Sequence, residues 1–118
     1  MTKDEIQDGN NLIAIFMGYH VEKNGISQVV KGQRLTLPNS YYDCSWVWLM
    51  NVVENIESVG HSVVIEKTFC RIESDSGIAL HITCVAHTKI EATWNAVIKF
   101  IKQYNKRISK LKQTNESS

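Results

Sequence analysis

Three stretches of the chain place apolar residues three and four positions apart, which is the spacing of an amphipathic helix. The first stretch lies between Thr2 and Gly18. Thr2 and Glu5 have the Ser/Thr-x-x-Glu form of a capping box, whose side chains accept hydrogen bonds from free amides at the start of a helix. Gly9 weakens the helix behind this box, so a start near Asn10 is the alternative, and Gly18 is the expected end.

Two further helices follow the same spacing. Asp43 is the expected N-cap of the second helix, which ends at Gly60. Thr88 and Glu91 form a second capping box, which opens the third helix. The apolar stripes consist of Leu49, Val52, Val53, Ile56 and Val59 in the second helix and of Ile90, Trp94, Val97, Ile98, Ile101 and Ile108 in the third.

Between the first two helices the pattern changes to that of a weak hairpin. Asn24 and Gly25 predict a type I′ turn, because both residue types tolerate the positive φ that this turn requires. The flanking strands are predicted at Tyr19–Glu22 and Val29–Leu37, and Gly32 interrupts the second of them.

A stronger hairpin signal lies between the second and third helices. β-branched residues predict one long strand over residues 61–73 and a returning strand over 78–85, joined by a turn at 74–77. Such a turn places Cys70 opposite His81.

These elements together predict an α+β fold. Neighbouring strands joined by tight turns form an antiparallel sheet, and three amphipathic helices need sheet faces against which to bury their stripes. We therefore expect an antiparallel sheet of about three to five strands sandwiched by amphipathic helices. A chain of 118 residues suits one domain, expected over residues 1–112, with a frayed C-terminal tail at 113–118.

Charge is distributed unevenly although the formal net charge is only +1. Residues 1–85 contain six basic and ten acidic side chains, whereas residues 86–118 contain seven basic and two acidic ones. A basic helix can lie along phosphates, yet nucleic-acid-binding domains are usually markedly basic, and a solvated helix face is the alternative. The candidate nucleic-acid contacts are Lys99, Lys102, Lys106, Arg107 and Lys110.

Four large aromatic residues fall within eight positions around the start of the second helix. They are Tyr41, Tyr42, Trp46 and Trp48. Such rings can stack on a base or fill a partner's pocket, and amides at a helix N-terminus can hold an anion. We predict that this cluster is the ligand- or partner-binding surface. The alternative is that Trp46 and one tyrosine simply cover the edge of the sheet.

The cysteines and histidines do not predict catalysis or metal binding. Three cysteines without a CxxC pair are typical of free thiols in a reducing compartment. The predicted register brings only Cys70 and His81 together, whereas zinc takes three or four such ligands. Cys44 lies at an expected helix N-terminus, which would lower its thiol pKa, but no base is near it in sequence. We expect no enzyme activity, no metal and no cofactor.

Three segments resemble a known group of proteins. Residues 12–19, Leu-Ile-Ala-Ile-Phe-Met-Gly-Tyr, resemble the opening of small phage and prophage proteins called the phage ABA-sandwich domain group. Residues 42–54 and 90–97 resemble the second and last helices of that group, in the same order. The resemblance implies layers of helix, sheet and helix and a mobile-element origin. It implies no particular activity, since none is established for the group.

The sequence thus predicts a non-enzymatic phage or prophage accessory protein that acts by binding. The partner is expected to be a host protein, a further copy of the chain, or a small anionic ligand such as a nucleotide sequestered from a defence system. The alternative is a nucleic-acid-associated protein that uses the basic helix. No apolar stretch is long enough to cross a bilayer and no secretion-signal pattern is present, so the cytoplasm of the bacterial host is the expected location.

Overall fold

The computed structural model describes residues 2–23, 25–37, 40–74 and 81–116, with Val30 and residues 110–116 described by their backbone alone. In chain order the elements are α1 (Lys3–Phe16), β1 (His20–Glu22), β2 (Gly25–Val30), β3 (Gln33–Leu37), α2 (Trp46–Ser58), β4 (His61–Glu66), β5 (Phe69–Ser74), β6 (His81–Val85) and α3 (Lys89–Glu116). The described strands form two antiparallel sheets, ordered β1-β2-β3 and β4-β5-β6. Helices flank these sheets, so the predicted α+β class is confirmed.

Helix α1 begins at Lys3, and the alternative start near Asn10 is wrong. Thr2 is the N-cap, and its Oγ1 accepts a hydrogen bond from the Glu5 amide at 3.1 Å. Gly9 remains helical because it lies where α1 passes close to α3. A Cβ atom at this position would come within 2.3 Å of the Trp94 ring, so only glycine permits this approach without a rearrangement.

The first sheet consists of two consecutive hairpins. Gly25 pairs with Glu22 and therefore lies in the ladder, not in the predicted turn, whereas Asn24 lies outside the described residues. Gly25 is instead the first residue of β2. The hairpin prediction is confirmed, but its register differs.

The second hairpin replaces the single strand predicted over residues 29–37. Val30 pairs with Gln33, which leaves Lys31 and Gly32 as a two-residue loop. Both have positive φ, 52° and 80°, the combination required by a type I′ turn. Gly32 is therefore a turn residue and not an interruption within a strand.

Helix α2 begins one residue after Ser45, which is the N-cap in place of the predicted Asp43. The predicted stripe is buried from Leu49 to Ile56, whereas Val59 follows the end of the helix and is exposed. Asp43 lies two residues before this N-cap, and its carboxylate accepts a hydrogen bond from Asn10 of α1, described below.

The second sheet also has one more turn than the sequence suggested. Lys67 and Thr68 divide the strand predicted over 61–73 into β4 and β5. The predicted pairing of Cys70 with His81 is wrong, since Cys70 pairs with Cys84 and His81 pairs with Glu73. The shift follows from a connection longer than four residues; most of it, residues 75–80, lies outside the described part of the chain.

Helix α3 packs on β5 and β6 and also contacts α1, α2 and β4. Its Thr88 cap is confirmed, because Thr88 Oγ1 accepts a hydrogen bond from the Glu91 amide at 3.2 Å. The helical backbone continues to Glu116, into the segment expected to be a frayed tail. The core that α3 forms with the second sheet includes Cys70, Ile72, Ile82 and Cys84 of the sheet and Trp94, Val97, Phe100 and Ile101 of the helix.

Candidate functional site

A buried amide attaches the segment before α2 to two helices. Asn10 of α1 accepts a hydrogen bond at Oδ1 from Trp94 Nε1 at 2.9 Å. Its Nδ2 donates to Asp43 Oδ1 at 2.8 Å and to the Ser40 carbonyl at 3.4 Å. Because every polar atom of the Asn10 side chain has a partner, the segment that carries the aromatic cluster is held against α1 and α3.

The structure brings together three of the four predicted aromatic residues. The Trp48 ring lies edge-to-face with Tyr41 and Tyr42, at centroid distances of 5.6 and 5.1 Å. Tyr42 is buried, Trp48 is half-buried, and Tyr41 is 44% exposed. Trp46 is 38% exposed and takes part in none of the ring contacts that the structure describes.

A groove of about 240 Å³ opens beside Trp48, between α2 and the first sheet. It is lined by Met17, Tyr19, Leu37, Tyr42, Val47, Trp48 and Asn51. Of these described lining residues, none carries a charge at neutral pH. Burial, with a smaller contribution from Tyr19, raises the pKa of Tyr42 to about 12, so its phenol stays neutral. We call this the Trp48 groove.

Val47 gives the Trp48 groove an exposed apolar edge. It lies in the first turn of α2, and 77% of its surface is accessible to solvent. Together with the exposed parts of Tyr41 and Trp46, it leaves three large apolar side chains in contact with water within seven residues. Clustered exposure of this kind is typical of an interaction surface, whereas single exposed apolar residues are ordinary.

The predicted basic residues lie on the solvent side of α3. Lys99, Lys102, Lys106 and Arg107 are exposed, and among the described residues none of them forms an ion pair. The side chain of Lys110 lies outside the described part. Lys99 and Lys102 also line a groove of about 320 Å³ beside β6.

The cysteines and histidines occupy separate environments. Cys70 and Cys84 are buried and opposite one another on β5 and β6, and burial raises the pKa of the Cys70 thiol to about 11. The prediction of a lowered Cys44 pKa is wrong: desolvation and the nearby Asp43 carboxylate raise it. His81 Nδ1 lies 3.1 Å from Glu73 Oε1. No cluster of three metal-ligating side chains exists within the described ranges.

The sequence analysis did not identify the roles of two residues of this region, Asn10 and Val47. Asn10 falls on the apolar stripe of α1, three or four positions from Ile6 and Ile13, and a polar residue on such a stripe indicates a buried hydrogen bond. Val47 looks like an ordinary helix residue in sequence. Its exposure depends on where α2 lies relative to the first sheet, which no local pattern encodes.

Comparison with known proteins provides no relative: no family model, no curated protein and no solved structure matches the chain. Within the described residues, no helix is both long enough and apolar enough to span a membrane. The function must therefore be inferred from the residues of this chain.

Proposed function

We propose that this is a non-enzymatic binding protein and that the Trp48 groove is its binding surface. The observation that carries the proposal is the exposure of Val47 beside the half-buried Trp48, at the mouth of an uncharged groove. Energetically dominant contacts in interfaces are typically aromatic residues in desolvated pockets surrounded by less important contacts. Trp48 would supply that anchor, and Val47 and Tyr41 would exclude water around it.

The lining of the groove favours a protein partner over a small anionic ligand. An anion bound here would face the rings of Tyr19, Tyr42 and Trp48 with no cation among the described lining residues to balance its charge. An apolar side chain of a partner would instead bury both its own surface and that of Val47. We infer that the groove takes an aliphatic or aromatic residue from a partner protein.

The cellular role that fits this surface is that of an accessory protein acting on its host. The resemblance of residues 12–19, 42–54 and 90–97 to phage ABA-sandwich proteins supports a mobile-element origin, and hence a partner among the proteins of the bacterial host. Such contact would block or redirect the host protein. Sequestration of a nucleotide signal is less well supported, because it needs a charged site.

Affinity capture with matched variants tests the proposal. Wild-type protein and the Val47→Glu and Val59→Glu variants would be immobilised and exposed to bacterial lysate, with bound proteins quantified by mass spectrometry. Val59 is an exposed valine at the other end of α2, so it controls for added charge. We expect at least one host protein to be retained by wild type and Val59→Glu and reduced about tenfold by Val47→Glu. Equal capture by all three proteins would refute the assignment of the groove.

The exposed cations of α3 support nucleic-acid binding as a second candidate function. Lys99, Lys102 and Lys106 follow one side of the helix, and within the described residues none of them forms an ion pair, although Lys102 shares a groove with Glu5 and Asp8. Binding to a duplex measured by fluorescence anisotropy should weaken steeply as salt rises. Replacement of Lys102, Lys106 and Lys110 with glutamine should abolish it, and unchanged affinity would exclude this candidate.

A further inference from the structure

Strand β6 is an outer strand of the second sheet, and the phase of its hydrogen bonds can be determined. The Ala86 amide donates to the Thr68 carbonyl at 3.0 Å, in register with the pairing of Cys84 and Cys70. Hydrogen-bonded and non-hydrogen-bonded pairs alternate in an antiparallel ladder. The backbone N–H and C=O groups of Ile82 and Cys84 therefore form the hydrogen bonds to β5. The backbone N–H and C=O groups of the alternate residues His81, Thr83 and Val85 point away from the sheet.

This edge lacks the features that commonly prevent strand addition. Proteins often protect an outer strand with lysine, glutamate or proline, and the segment His81–Val85 contains none of these. Val85, at its end, is 73% exposed. Among the described residues, no strand pairs with β6 on this side.

A groove of about 320 Å³ runs between β6 and α3 along this edge. Its lining residues are Thr83, Cys84, Val85, Asn95, Ile98, Lys99 and Lys102. Two of these are cations and none is acidic, and Ile98, only 9% exposed, forms part of the floor. Lys102 also lines an adjoining groove that contains Glu5 and Asp8 of α1, so Lys99 is the cation of this groove farther from those carboxylates. The groove beside β6 shares no lining residue with the Trp48 groove.

We propose that the β6 edge binds an extended segment of another protein that carries acidic side chains. The segment would add a strand through the outward-facing backbone groups, and every second side chain would point toward α3. Side chains on that face are about 7 Å apart along a strand. One can therefore contact Ile98 while the next places a carboxylate near Lys99 or Lys102. A segment with alternating apolar and acidic residues on one face fits this surface.

Charge distinguishes this occupant from a second copy of the chain paired through the same strand. A copy that paired through its own β6 would present His81–Val85, which contains no carboxylate for Lys99 and Lys102. An acidic segment satisfies both the backbone groups and the lysines.

The probe is the acetylated and amidated peptide Thr-Glu-Thr-Val-Thr-Glu-Thr, which presents Glu, Val and Glu on one face in either strand direction. Binding to the full chain would be followed by NMR titration and amide hydrogen exchange. We expect saturable binding that protects the amides of His81, Thr83 and Val85, whereas those of Ile82 and Cys84 are protected already. The same peptide with Lys in place of Glu should not bind.

Two matched charge variants and one backbone variant complete the test. Lys99→Glu combined with Lys102→Glu should weaken binding at least about tenfold, and the same charge change at Lys106 and Arg107 less than about twofold. Thr83→Pro removes one outward-facing N–H and none of the ladder bonds, so the variant should fold and lose affinity. Failure of the peptide to bind, equal effects of the two charge variants, or a dimer of wild type that Thr83→Pro dissociates would overturn the proposal.

Discussion

The indole Nε1 of Trp94 donates a hydrogen bond to the side-chain carbonyl of Asn10 at 2.9 Å, across 84 positions of sequence. The same amide donates to Asp43, so a single side chain joins α3, α1 and the segment that carries the aromatic cluster. The hydrogen bond from Trp94 is buried, and the hydrogen bond to Asp43 is partly buried. Asp43 is the neighbour of Tyr42, which lines the Trp48 groove, so these hydrogen bonds restrain one wall of the groove from outside it.

Replacement of Asn10 with alanine should therefore destabilise the protein strongly. It leaves the Trp94 N–H and the Asp43 carboxylate without this partner, and an unsatisfied buried group costs about 1–3 kcal/mol. We expect a loss of about 2–3 kcal/mol in urea unfolding. The half-buried Asn11, whose side chain bonds only to Gln7 among the described residues, provides the control: Asn11→Ala should cost less than about 0.5 kcal/mol. Similar losses in the two variants would contradict the role given to Asn10.

Gly9→Ala should reverse the usual effect of this substitution in a helix. Alanine normally gains about 1 kcal/mol over glycine within a helix. Here its Cβ would lie 2.3 Å from the Trp94 ring, and overpacking of this kind costs about 1–3 kcal/mol. We expect a net loss of stability in urea unfolding. In a Trp94→Leu background, where the ring is absent, the same substitution should become neutral or stabilising. A gain in the wild-type background would show that the two helices separate readily.

The turns mark the limit of what could be predicted about the fold from sequence. The helices and the first and last strands could be predicted from periodicity. Burial of one face of an element makes apolar residues recur at a fixed spacing, which is visible in the sequence. Lys31-Gly32 and Lys67-Thr68 were missed because each has lysine at positive φ, 52° and 47°, where asparagine, aspartate or glycine is usual. Because those turns have no sequence signal, the sequence of each pair of strands resembles that of one long strand.

Lys31→Asn should stabilise the protein, because asparagine adopts positive φ at lower cost than lysine. We expect a gain of up to about 1 kcal/mol in the free energy of unfolding. Lys23→Asn is the matched control, since Lys23 also lies in a hairpin loop but not at positive φ. A gain in the control alone would contradict the type I′ assignment at Lys31-Gly32.

The candidate site was predicted from sequence only in part. The aromatic cluster was identified because four rings fall within eight residues, and three of them do meet. The rest of the groove was not predictable. The groove also includes Met17 and Tyr19, which lie between α1 and β1, and Leu37, which ends β3. Tertiary packing brings these residues to α2, and no local sequence pattern indicates that contact. The misassigned register of β5 and β6 has the same origin, because it depends on a long connection.

Cys70 should make the protein less stable at alkaline pH. Burial raises the folded-state pKa of its thiol from about 9 to about 11, so the unfolded chain ionises first as the pH rises. The unfolded state then binds fewer protons, and the free energy of unfolding falls between pH 9 and pH 11. The Cys70→Ala variant, although less stable at neutral pH, should show a smaller decline in urea unfolding across this range. Cys44→Ala should reduce the decline less than Cys70→Ala does, because Cys44 is exposed and its raised pKa contributes a smaller part; equal declines in all three proteins would contradict this account.

Site-specific photo-crosslinking in bacterial cells tests the central claim most directly. A photoreactive phenylalanine analogue would replace Val47, at the edge of the Trp48 groove, or Val59, an exposed valine at the far end of α2. Both variants would be irradiated in the cell and separated by denaturing electrophoresis. The proposal predicts one or a few discrete covalent adducts at position 47, absent at position 59 and lost when Trp48 is replaced with alanine. No adduct at position 47, or the same adducts at both positions, would show that the Trp48 groove is not the surface through which this protein binds.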